Sequence, residues 1–191
     1  MSFISRLIIL GSTSFLLTCS PGNRNEIESG NKSDKIEFDS LKRNSIDVQV
    51  EEININLQQQ GPPIKIPFQI YNPNDSLSYW TIEGKPSRIS INFKFPDKHV
   101  WPTFFLKDGE LILVRYRIWS MNAPAYASET ISHIDNNEII YCIERRMDLE
   151  PGAQPYLLRE KEFNICTRSP ADIHADYIPY WKTVKDFLIT M

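Results

Sequence analysis

Residues 101–119 read WPTFFLKDGELILVRYRIW, two apolar runs divided by Asp108-Gly109. Asp-Gly between such runs marks a two-residue hairpin loop, because a type I′ turn needs φ > 0 at both central positions and these residues tolerate it. The turn pairs Lys107 with Glu110, Leu106 with Leu111 and Phe105 with Ile112. Strand alternation then puts Trp101, Phe105, Ile112, Val114, Tyr116 and Ile118 on one face, a core face. The other face carries Phe104, Leu106, Leu111 and Leu113 near the turn, then Arg115 and Arg117. That second face needs a cover near the turn and is wetter further along.

The pattern continues on both sides. Residues 88–95 alternate without a break, Ile89, Ile91, Phe93 and Phe95 against Arg88, Ser90, Asn92 and Lys94, as in a half-buried strand. They follow an apolar run at 77–82 across Glu83-Gly84-Lys85, a predicted turn. A third hairpin spans 131–147 and turns at Asn136-Asn137, and residues 156–165 give a weaker strand pattern. The segment from Ser45 to Leu57 fits two periods. Ile46, Val48 and Val50, then Ile53, Ile55 and Leu57, alternate like a strand with a bulge at Glu51-Glu52. Ile46, Val50, Ile53 and Leu57 also share one helical face, and Gly61, Pro62 and Pro63 make a good helix stop, which tips the reading toward helix.

At the C-terminus Tyr180, Trp181, Val184, Phe187, Leu188 and Met191 fall within about a third of a turn at 100° per residue. Such a stripe packs on a sheet, or grips a partner or lipid. Ahead of it, Ser169-Pro170-Ala171-Asp172 has an N-cap residue with Pro at the first helical position, the start of a short helix. The expected fold is α+β: a curved antiparallel β-meander sheet packed on one face by helices, the C-terminal helix among them. An all-β sandwich is the alternative if Ser45 to Leu57 is a strand.

The N-terminus has a different character. Residues 1–6 hold one charge, Arg6, residues 7–17 form an uncharged, largely apolar stretch, and Leu16-Leu17-Thr18 stands directly before Cys19. The apolar stretch has the length of a signal h-region and is short for a bilayer span. The arrangement resembles the type II signal peptide of bacterial lipoproteins. That resemblance implies that residues 1–18 are removed and that Cys19 becomes a lipidated, palmitate-bearing first residue anchored in the cell envelope. Ser20, rather than Asp, after the Cys implies sorting to the outer membrane.

Residues 20–35 hold a single aliphatic side chain, Ile27, which is too little apolar surface to offset chain entropy. Residues 19–37 therefore read as a disordered tether reaching roughly 20–25 Å. Residues 38–191 read as a single globular domain of about 150 residues. Net charge is −3, and losing Arg6 with the signal takes it near −4, a balance that argues against nucleic acid as a partner.

With Cys19 assigned to lipid, two of the three cysteines remain, Cys142 and Cys166. In an oxidising envelope they form a disulfide closing a loop of about 25 residues, or else Cys142 is a buried strand residue and Cys166 an unrelated thiol. The chain has no nucleophile elbow, phosphate-cradling glycine loop or His/Cys pair at metal spacing, so no catalytic residue, cofactor or metal is expected. The three histidines, His99, His133 and His174, are scattered. His133 and Asp135 share a strand face and fit either a metal or proton relay or a solvated turn. The run Glu144-Arg145-Arg146-Met147-Asp148 reads as a solvated strand end.

Arg115 and Arg117 point the same way from one strand. They can clamp a carboxylate or phosphate with planar donors, or pair with acidic residues on neighbouring strands. Trp80 and Trp101 fit an aromatic ligand patch or core packing. The expected function is a lipid-anchored, non-enzymatic binding module whose partner, besides the membrane, is an envelope protein or small ligand. A periplasmic immunity or inhibitor lipoprotein is one alternative. A hydrolase with a non-local site, which needs His and carboxylates to converge, is another. The hairpins at 77–147 also resemble those of many uncharacterised bacterial lipoproteins, and that resemblance implies no activity.

Overall fold

Among the described residues eight strands form one antiparallel sheet in the order of the chain. They are β1 (Ile64–Pro67), β2 (Ser76–Ile82), β3 (Lys85–Lys94), β4 (Lys98–Lys107), β5 (Glu110–Ser120), β6 (Tyr126–Asp135), β7 (Glu138–Asp148) and β8 (Asn164–Ile165). Helix α1 (Gly30–Gln60) precedes them, a 3-10 helix (Pro155–Glu160) lies between β7 and β8, and α2 (Pro170–Ile189) follows β8. The computed structural model describes residues 30–67, 75–150 and 155–189. Cys19, residues 1–18 and the first part of the tether lie outside the described residues, as does Met191.

The meander follows from its turns. Glu83-Gly84, Asp108-Gly109 and Asn136-Asn137 all have positive φ, between 51° and 86°. This is the type I′ signature, whose twist matches that of the strands it joins, and Gly84 and Gly109 adopt it at no steric cost.

One feature of the central hairpin departs from the sequence reading. Lys107 pairs with Glu110 and Leu106 with Leu111, but Phe105 pairs with Leu113, not Ile112. Ile112 is the extra residue of a β-bulge, and with a side-chain period of two, one extra residue exchanges the faces beyond it. Phe104 and Leu106 therefore join Leu111, Val114 and Tyr116 in one core, while Phe105 joins Leu113 in another. Trp101 ends up beside Arg117 rather than among the core residues.

The helices lie on opposite faces of the sheet, not on one. Helix α2 brings Tyr177, Trp181 and Val184 to the core of Leu77, Phe93, Phe104 and Val114, with Phe104 and Trp181 rings 5.2 Å apart. Helix α1 brings Ile46, Ile53 and Leu57 to Phe105, Leu113 and Ile131 on the other face. Both sheet faces are apolar near the central turn, so each needs its own cover.

Three element boundaries also shift. Segment 45–57 is helical, and α1 begins at Gly30, inside the segment read as tether; no proline lies between Gly30 and Pro62-Pro63. The two C-terminal helices are one, capped where Ser169 Oγ accepts the Asp172 amide at 3.2 Å, with Pro179 carried inside. Segment 156–165 is 3-10 helix as far as Glu160, and only Asn164–Ile165 pairs with β7. Cys142 and Cys166 are joined by a disulfide, and the Cys166 amide donates to the Cys142 carbonyl at 3.1 Å.

Candidate functional site: a cationic cleft on the open half of the sheet

Strand register lays side chains in rows across the face that α1 covers. The row near the turns is Trp80, Arg88, Phe105, Leu113, His133 and Tyr141. The next is Ser78, Ser90, Thr103, Arg115, Ile131 and Ile143. Beyond it run Trp101, Arg117, Glu129 and Arg145, then His99, Trp119, Ala127 and Met147. The face thus changes from apolar to basic to aromatic within a few residues of each strand.

Helix α1 covers only the apolar end. His133 Nε2 and Asp47 Oδ1 lie 2.7 Å apart, Lys42 pairs with Asp135, and the Arg43 guanidinium sits 4.8 Å from the Tyr141 ring centre. His133 and Asp135 therefore tie α1 to the sheet. Past the helix the face opens into a cleft of about 930 Å³, walled on the β7 side by Pro155, Leu158 and Arg159 of the 3-10 helix. Arg145 fastens that wall: its Nη1 donates to the carbonyls of Arg159 and Lys161, at 3.0 and 3.3 Å.

Among the described residues five cations line the cleft, Lys65, Arg88, Arg117, Arg145 and Arg159, against one carboxylate, Glu129. Glu129 is 1% exposed. Arg117 Nε donates to its Oε1 at 2.7 Å, Arg145 Nε donates to Oε2 at 2.8 Å, and Arg145 Nη2 pairs with Oε2 as well. Burial alone would raise the Glu129 pKa, but Arg117, Arg145 and Arg115 outweigh it and hold the carboxyl below its usual range. Arg115 stands beside the cleft with Nε 3.2 Å from Glu129 Oε1, yet unaligned for a hydrogen bond.

One carboxylate cannot neutralise this set. Arg88 shows the surplus most clearly. Its guanidinium lies 4.6 Å from the Trp80 ring centre and 5.6 Å from that of Phe105, and its buried Nε has no hydrogen-bond partner. Burial first, then repulsion from Arg115 and Arg117, lowers its pKa. Four residues further along the same strand, the buried Oδ1 of Asn92 also lacks a partner. At the rim the His99 ring meets Trp101 and Trp119 edge-on, at 5.4 and 5.2 Å. Burial, and then Lys94, lower the His99 pKa, which favours the neutral ring.

The structure therefore brings Arg115 and Arg117 together on a carboxylate of the neighbouring strand and places Arg117, but not Arg115, in the cleft wall. Trp101 lines the cleft, and Trp80 packs under Arg88 against the α1 core. The histidines do not converge: His99 is at the rim, His133 lies under α1, and His174 packs on Tyr177 of α2. The three thus lie apart, and His133 is the one seen against a carboxylate among the described residues, that of Asp47.

Sequence reasoning missed Glu129, Arg145 and Arg88 as members of one site. The usable signal was the polar side of residues 88–94, which shares a face with Arg115 and Arg117. Compared with protein-family models, with curated proteins and with solved structures, the chain matches none.

Proposed function

We propose that this chain is a lipid-anchored envelope protein acting as a non-enzymatic binding module, with the cleft over Arg88, Arg117 and Arg145 taking an anionic ligand. The observation that carries the reading is the imbalance of five cations to one carboxylate, with a buried guanidinium nitrogen of Arg88 left unpartnered. An unpaired buried donor costs about 1–3 kcal/mol, which an incoming anion relieves. A binding role suits these groups better than catalysis. Guanidiniums remain protonated at neutral pH, and Glu129, held ionised by them, is poorly placed to shuttle a proton.

The anchor rests on Leu16-Leu17-Thr18 before Cys19. Among the described residues no helix is long and apolar enough to cross a membrane.

Two measurements test the two halves of the reading. Cells fed an alkynyl palmitate should label the chain, and Cys19→Ala should abolish the label; label surviving in that variant refutes the anchor. Citrate at millimolar concentration should raise the thermal midpoint by several degrees through binding to the native state, and Arg88→Gln should remove most of that rise. An equal rise in both proteins would be a general salt effect and would sink the anion reading.

A further inference from the structure

The cleft holds more than positive charge. Arg88 Nε is a buried donor without an acceptor, and Asn92 Oδ1 is a buried acceptor without a donor. A ligand that satisfies both must accept at one end and donate at the other. Ser76, Ser78, Ser90 and Thr103 add hydroxyls between them, and Ser90 and Thr103 are already linked at 2.6 Å. Each hydroxyl both donates and accepts, so the floor suits a partner with many hydroxyls better than one with fixed polarity.

The opposite rim offers flat apolar surface. Trp101 and Trp119 both line the cleft and are half-buried. His99 abuts both indoles edge-on and so steadies them. Trp101 is the cross-strand neighbour of Arg117, which sets a ring-stacking surface directly beside a guanidinium. A cleft of about 930 Å³ lies at the upper end of the range for small-ligand sites and has room for more than one ring.

Resting on the anion-binding reading above, we infer that the ligand is an acidic saccharide, a polyhydroxylated ring bearing a carboxylate or phosphate. The anion sits on Arg88 and Arg117, one hydroxyl donates to Asn92, others meet the serine and threonine floor, and the apolar face of a ring lies on Trp101 or Trp119. A bare inorganic anion leaves the indoles and Asn92 unused. A nucleotide would use the indoles and the arginines but presents an aromatic base, where the floor offers mostly hydroxyls.

The test is a titration of the full chain in neutral detergent, followed by tryptophan fluorescence and calorimetry. The probes are digalacturonate, glucosamine 1-phosphate, maltose, inorganic phosphate and AMP. At least one acidic saccharide should bind tenfold or more tightly than maltose, phosphate and AMP, and quench the indole emission. Trp101→Ala and Arg88→Gln should each weaken that binding about tenfold, and Asn92→Ala severalfold. Arg168→Gln, whose side chain pairs with Asp176 of α2, should leave it unchanged. Circular dichroism checks each fold. If Arg88→Gln does not fold, Arg88→Lys keeps the charge and should still weaken binding by losing the planar fork.

Phosphate or AMP binding as tightly as both acidic sugars overturns the saccharide while leaving an anion site. Tight maltose binding that survives Arg88→Gln overturns the anion as well. No binding of any anionic probe by the folded chain overturns both readings.

Discussion

Glu129 is the residue on which the cleft depends. Its carboxylate faces three guanidiniums, from Arg115, Arg117 and Arg145. Its pKa in the fold lies below the unfolded value, so its contribution to stability is complete above about pH 4.5 and is lost as pH falls through the lowered folded value. Urea midpoints measured from pH 7 down to pH 3 should therefore fall more steeply for the native chain than for Glu129→Gln. At pH 7 that variant should already be destabilised by about 3 kcal/mol, because three guanidiniums lose their counter-charge. Parallel pH curves for the two proteins would remove Glu129 from this role. Arg115 and Arg117 could be singled out from their spacing alone. Glu129 could not, because β5 and β6 are joined by residues 121–125 rather than by a two-residue turn, so nothing in the local sequence sets Arg117 opposite Glu129.

Among the elements, the two helices contribute unequally to the two faces. Helix α2 buries Tyr177, Trp181 and Val184 in the larger core and contributes no residue to the cleft lining described above. Trp181→Ala should cost about 3–5 kcal/mol by denaturant unfolding while leaving ligand affinity in the cleft intact. Loss of affinity in a variant that remains folded would show that the two faces are coupled. Legibility also differed between elements. The turns at Asp108-Gly109 and Asn136-Asn137 carry their backbone requirement in the residue types, and the Ser169 cap does the same for α2. The bulge at Ile112 carries no such mark; it arises because both faces must bury apolar residues at once, and this is decided only when two helices dock. Segment 45–57 satisfied both periods, and the closing Gly61-Pro62-Pro63 was the better guide.

Across the whole molecule, the disulfide joins the last wall of the cleft to the sheet. Cys142 lies in β7 and Cys166 directly after β8, so the bridge encloses the 3-10 helix bearing Leu158 and Arg159. Replacing both cysteines by serine should lower stability by about 3 kcal/mol, read as a shift of the urea midpoint, and weaken ligand capture as the wall loosens. An unchanged midpoint would mean that packing alone holds the segment. The strand order has a kinetic consequence of its own. Because each strand pairs with the one made just before it, most contacts close short loops, and little chain entropy is spent before each new pairing stabilises the sheet. The sheet can therefore zip hairpin by hairpin from its N-terminal edge as the chain lengthens, with α2, made after all eight strands, sealing the larger core.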